Sequence, residues 1–323
     1  LTMNSVTYDE VNDELIINNL PFDGPSQRYD RIGGRSGARF YASRKTETTG
    51  QIQHYAVYIR RDSMELAAAA GAEWGDYGFG GAHVRRGEFE LPASGEYIYT
   101  GVYAGVRTFN DRGGLHLVTG DARLLLDIDD LDPNGITRGT IVGDVTNRRR
   151  TDPDRPNTQL ANLPALSFLT VGFDIENGTF ENGIVEIGDL EGTLIGDGNY
   201  EGMIAGPTGA ELGAISVVDG VAEVQFVEFE VVEYFVPLPE GDEGDPVVET
   251  FDARDKANRD TVQATVDSGV QVPRFTVVAD DLPDDAVVLT RNVERDRFAS
   301  DFDARELGIL AGDQVIPTDP LNP

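Results

Sequence analysis

GNYEGMIAGPTGAELGAISVV, Gly198 to Val218, is the stretch that decides the fold class. Its five glycines, Gly198, Gly202, Gly206, Gly209 and Gly213, are too many for a helix, where each would cost about 1 kcal/mol relative to Ala. A strand accepts them where a sheet bends sharply or two backbones come close. The stretch therefore predicts two short strands of a closed sheet joined by a tight turn at Gly206-Pro207.

Working outward, the same grammar repeats. Glu96 to Phe109, Gly114 to Asp129, Gly139 to Arg149, Leu166 to Ile175 and Thr179 to Gly183 are alternating or β-branched runs punctuated by Gly and Asn-Gly, the signature of an antiparallel sandwich or barrel. No helical period intervenes, which argues against a nucleotide-binding α/β fold. Upstream, Ser5 to Asp9, Glu14 to Asn18, Arg39 to Ser43 and Gln53 to Arg60 read as strands between Asn, Asp, Gly and Pro turns. Asp62 to Gly71, DSMELAAAAG, reads two ways: a helix of two turns with Asp62 as its cap, or small side chains in a crowded sheet. Arg148 to Pro164 lacks periodicity and predicts an exposed loop. Downstream, Glu223 to Val236 predicts a long strand, Pro237 to Pro246 an acidic linker and Thr250 to Ala264 a short polar helix; Phe275 to Ala279 and Ala286 to Val293 add strands. The expected fold class is mainly β: a small antiparallel β-barrel of about eight strands over 95–235, after a β-rich N-terminal region over 1–94 and before an acidic C-terminal extension with short strands over 236–323.

Composition bounds the function. The chain has 323 residues, 26 Lys plus Arg against 57 Asp plus Glu, and a formal net charge of −31, so nucleic acid and anionic lipid surfaces would repel it. Cysteine is absent, which removes disulfides and thiolate metal sites. No apolar run reaches the roughly 18 residues a membrane-spanning helix needs. The opening at Leu1 fits either a processed protein whose signal peptide has been removed or a truncated piece of a longer chain.

The central pattern resembles a known family. Gly198 to Ile215 is similar to the closing strands of the small β-barrel of transferrin-binding protein B and related bacterial surface lipoproteins, with Ala214 where that pattern has the second Gly of a pair. Tyr97 to Gly105, YIYTGVYAG, Leu124 to Leu131, LLLDIDDL, and Thr140 to Arg148, TIVGDVTNR, resemble the preceding barrel strands in the same order. The resemblance implies an exported protein, outer-membrane surface-displayed, periplasmic or extracellular, with a lipid anchor upstream of Leu1. It also implies that a protein, or a cofactor carried by a protein, is captured through barrel-end loops. The residues after Val221 have no counterpart in the pattern. Read from the chain alone, they suggest a second role, as a structural subunit whose extension adds a strand to a neighbour's sheet.

Candidate chemistry is sparse. Trp74, Tyr77 and Phe79 lie in the Gly-rich run EWGDYGFGG. They are the expected partner-binding residues, since aromatics on a loop give large contact area at modest entropy cost; the alternative is that they plug the barrel end. Asp130, Asp132 and Asn134 fit the first half of a calcium loop, but its closing Glu would fall at Ile141. The acidic run Asp280 to Asp285 reads as a solvated loop. Glu211, within an apolar pattern, is expected to pair with an Arg or with turn amides rather than act as an acid. His54, His83 and His116 lie in or near strands, where packing is the ordinary fate of a histidine. With no Cys and no Gly-x-Ser-x-Gly elbow, the expectation is a non-enzyme without cofactor or resident metal.

Overall fold

The computed structural model describes residues 3, 5–21, 23–44, 52–72, 75–92, 94–129, 138–241 and 243–315. They form a mainly β protein whose centre is a closed antiparallel barrel of eight strands. Chain contacts divide it into two units, one of residues 1–158, 162–220 and 302–323, the other of 159–161 and 221–301.

The first unit begins with a seven-stranded antiparallel meander: β1 (Ser5–Asp9), β2 (Glu14–Asn18), β3 (Gln27–Arg35), β4 (Ala38–Ser43), β5 (Tyr55–Arg60), β6 (Met64–Gly71) and β7 (Phe79–Arg86). The sheet curls until it is nearly closed, so it has two apolar faces. One face gathers Leu15, Ile17, Tyr29, Tyr41, Tyr58, Ala67 and Ala69. The other, with Phe40, Val57, Ile59, Leu66, Ala68 and Ala70, packs on barrel residues Ala104, Val106, Leu117, Leu307 and Ile309. Because β6 is covered on both sides, its alanines suit a crowded strand, and the helix reading of Asp62 to Gly71 does not hold. Packing overrides the high helix propensity of Ala.

The barrel strands are β8 (Gly95–Phe109), β9 (Arg112–Asp129), β10 (Arg138–Thr151), β11 (Leu166–Asp174), β12 (Thr179–Gly188), β13 (Leu194–Ala205) and β14 (Glu211–Val221), closed by a much later strand, β18 (Asp303–Val315). Around the cylinder the order is β10-β11-β12-β13-β14-β18-β8-β9. Gly198 to Val218 forms the β13–β14 hairpin as expected, with Ala205 opposite Glu211 and Gly198 opposite Val218. Gly206 at the turn has φ 76°, a left-handed conformation that glycine adopts without a side-chain clash. At Gly213 a Cβ would lie 2.6 Å from the Met64 sulfur, so glycine lets the N-terminal sheet seat against the barrel. Inside, Tyr99, Tyr103, Phe168, Phe180 and Tyr200 are fully buried among aliphatic residues, with Phe168 and Tyr200 edge to face at 4.8 Å. This is a packed core, as narrow eight-stranded barrels permit.

Two expectations change here. Residues 148–164 are not simply a loop: β10 continues to Thr151, and Arg148, Arg150 and Asp152 are buried. The barrel also extends beyond residue 235, because β18 from the expected extension pairs with β8 from Ala304–Phe109 to Val315–Ile98. β18 was not read as a strand from the sequence, and its partner lies some 200 residues earlier, a distance that local pattern does not cross.

The second unit is inserted in the chain between β14 and β18. It holds β15 (Val224–Phe235) between β16 (Val248–Asp252) and β17 (Val287–Ala299), with one helix, α1 (Lys256–Asp267). The expected polar helix thus sits six residues later at its start. Asp255 caps it, its side chain accepting from Asn258 N at 2.7 Å. Val262 and Val266 pack on Val227, Phe229, Val232 and Phe298.

Candidate functional site

The β6–β7 turn carries the expected partner-binding aromatics. Trp74 lies outside the described residues. The turn is tied to the β8–β9 turn by a reciprocal pair: Asp76 N donates to Asp111 Oδ1 at 2.9 Å, and Asp111 N donates to Asp76 O at 3.0 Å. Tyr77 is half-buried under the Arg305 guanidinium, 4.5 Å from its ring centroid. Arg305 in turn grips Asp219 through two hydrogen bonds of 2.7 Å. The Tyr77 hydroxyl titrates above its ordinary range, through burial first and then the charge of Asp219. Phe79, at the start of β7, remains 39% exposed. Tyr77 is thus held by the barrel end, and Phe79 is the more exposed of the two. Asp219 and Arg305 were missed from the sequence, where nothing marks them.

Behind this turn, the end of the barrel interior is polar. Arg148 is 1% exposed and Glu306 3%; Arg148 Nη2 donates to Glu306 Oε2 at 2.7 Å and Nη1 to Pro164 O at 2.6 Å. The Tyr103 hydroxyl donates to the other carboxylate oxygen, Oε1, at 2.6 Å. Arg148 points inward because β10 shifts register between Thr146 and Arg149, with Asn147 at φ 51°; the extra residue re-aims the side chain. Burial alone would raise the Glu306 carboxyl, but Arg148 and Arg107 more than offset it and leave it below 4.5. Burial, reinforced by Glu306, pushes the Tyr103 hydroxyl far above its ordinary range. His116, across from Arg107 on β9, is driven well below 6.5 by burial and then by Arg150 and Arg107, so it is neutral. Both Glu306 oxygens are thus engaged, and the pair holds its charge in place.

The remaining candidates are dispersed. His54 is buried beside Asp23, Nδ1 to Oδ1 3.6 Å, and the Tyr29 hydroxyl donates to Asp23; burial raises the Asp23 carboxyl. His83 on β7 is lowered by burial and by Arg85. Glu211 takes the Ser63 amide on both oxygens at 3.1 Å, so an amide satisfies it as expected. Burial is the main cause of its raised carboxyl. Asp281 accepts from Val278 N at 2.8 Å, a local cap. Asp130, Asp132 and Asn134 lie outside the described residues. Among the described residues no group of three or more His, Asp or Glu is placed to hold a metal ion, and no helix is long and apolar enough to cross a membrane.

No protein-family model and no curated protein matches the chain.

Proposed function

We propose that the protein is an exported binding protein, surface-displayed or periplasmic, that captures a protein partner through the loops at the Tyr77 end of its barrel and performs no catalysis. The observation that carries this reading is the filled interior. Tyr99, Tyr103, Phe168, Phe180 and Tyr200 occupy the space in which a ligand-carrying barrel keeps a cavity, so recognition falls to the outer surface. Phe79, 39% exposed at the start of β7 beside a turn hydrogen-bonded to the barrel, is an aromatic side chain of the kind that contributes strongly to binding energy. The sequence likeness to transferrin-binding protein B and its relatives supports export and a protein partner, and the eight-stranded barrel is in keeping with it.

The test is to locate the protein on intact cells that make it and to photo-cross-link it there through a probe placed at Phe79. The expected result is digestion of the protein by external protease, with a discrete cross-linked adduct that disappears when Tyr77→Ala is combined with the probe. Retention of the protein in the cytoplasm contradicts the proposal.

A second reading, a structural subunit joined by strand addition, is favoured by one feature. β17 is a 13-residue edge strand on which Val287, Val288, Leu289 and Val293 are exposed. Such an edge is a template for another strand.

A further inference from the structure

Carboxylates outnumber cationic side chains 57 to 26 in this chain, so nearly every arginine finds a carboxylate, a carbonyl or a ring. Among the described residues, only the side chains of Arg35, Arg123 and Arg149 make no hydrogen bond, ion pair or ring contact. Two of these three share one recess. Arg35 and Arg149, with Ser36, Thr119, Asp121 and Asn147, line an open hollow of about 300 Å3 on the barrel flank. Arg123 lies on the same strand and the same outward face as Asp121, two residues on.

The walls of the hollow are fixed. Arg35 and Ser36 sit at the tip of the β3–β4 hairpin, where Ser36 has φ 53° and Gly37 φ 90°; a Cβ on Gly37 would lie 3.5 Å from a Val102 methyl, so the tip rests on β8. Asn147 and Arg149 belong to the irregularity of β10 that turns Arg148 inward. Asn147 Nδ2 donates to Asp121 Oδ2 at 2.8 Å, which orients both groups toward the same space. Nothing in the barrel's own packing requires two unpaired guanidinium groups here, and each retains a planar set of donors suited to a carboxylate or a phosphate.

Charge decides between those two. Two arginines and Asp121 sum to a single positive charge, which matches a monoanion; Asp121 would repel the second charge of a phosphate. The hydroxyls of Ser36 and Thr119, the Asn147 amide and the Asp121 carboxylate then supply donors and acceptors for hydroxyl groups beside the anion. We propose that this recess is a binding subsite for the carboxylate of an acidic sugar, with Arg35 and Arg149 on the carboxylate and Asp121 and Asn147 on adjacent hydroxyls. The subsite stands apart from the Tyr77 turn and does not depend on the function proposed for that turn.

The test uses the full chain and three probes, glucuronate, glucose and inorganic phosphate, titrated at low salt and followed by the backbone amide resonances of residues 35, 36, 119 and 147. Saturable shifts with glucuronate are expected, with weaker effects from phosphate and weaker still from glucose. Arg35→Ala and Arg149→Ala should each weaken glucuronate about tenfold or more, one lost charge-assisted pair. Arg123→Ala, outside the recess, should change it less than about twofold, since an exposed charge is screened. Asp121→Asn should shift selectivity toward phosphate. All these side chains are polar and the two tested arginines are exposed, so unchanged circular dichroism is the check on folding. No saturable shift with glucuronate, phosphate binding as tight as glucuronate, or equal loss in Arg123→Ala would each overturn the proposal.

Discussion

Glu306 keeps its charge inside the barrel because Arg148 and the Tyr103 hydroxyl engage one oxygen each, and removing one member of such a buried pair strands the other. Glu306→Gln should lower stability by about 3 to 5 kcal/mol, read as a shift of the urea midpoint at unchanged slope. The double variant Arg148→Met, Glu306→Leu should recover only part of that loss, since apolar replacement of a buried pair is close to neutral while the Tyr103 hydroxyl and Arg107 still lose their carboxylate. The pH dependence has a definite sign. A carboxylate held below its unfolded value contributes stability above that value and loses it as pH falls through the folded one, so Glu306→Gln should flatten the decline below about pH 4. His116 acts earlier in the acid limb: the unfolded chain takes up a proton near pH 6.5 that the buried ring refuses. His116→Gln should therefore reduce the stability lost between about pH 6.5 and 5. Gly308 is constrained from the same side, since a Cβ there would lie 2.2 Å from the Tyr103 hydroxyl. Gly308→Ala should cost about 1 to 3 kcal/mol, less when combined with Tyr103→Phe. None of this layer was legible in the sequence, where RRRTDPDRP reads as solvated charge. What hides Arg148 is a register shift set by the left-handed backbone at Asn147, and alternation cannot foresee an added residue.

At the scale of elements, strand spacing and turn chemistry carried most of the information. The β13–β14 hairpin, β8 and β9 fall where alternation and glycine put them, because register is specified wherever one face is buried. β6 was ambiguous for a physical reason: alanine has the highest helix propensity, and only the presence of apolar layers on both faces selects the strand. That crowding is testable. Ala68, fully buried between the N-terminal sheet and the barrel, should tolerate no bulk, and Ala68→Leu should cost about 1 to 3 kcal/mol by thermal or urea unfolding. β17 is the opposite case, a long strand with its apolar residues exposed. If strand addition operates there, Leu289→Lys should leave monomer stability within about 0.5 kcal/mol while abolishing any concentration-dependent assembly seen by sedimentation velocity.

The barrel of the molecule is interrupted once, between its seventh and eighth strands in chain order, by a unit of its own with a helix and a three-stranded sheet. This organisation was the least legible feature, since a chain read from start to end suggests a finished barrel followed by an appendage. It also changes what a truncation means. Ending the chain at residue 235 removes β18 and opens the cylinder, whereas replacing 222–301 with a short Gly-Ser linker rejoins neighbouring antiparallel strands as a hairpin. The second variant should retain a cooperative β-rich unfolding transition by circular dichroism, and the first should lose it. The filled, closed barrel underlies the reading of the protein as a binding surface. Its most direct test is native-state amide hydrogen exchange of Asp303–Val315 beside that of β8. The account predicts that Leu307 to Ala311 exchange as slowly as Val102 to Val106, because both belong to one cooperative barrel; exchange of the β18 amides at the rate of an exposed tail, with β8 still protected, would contradict it.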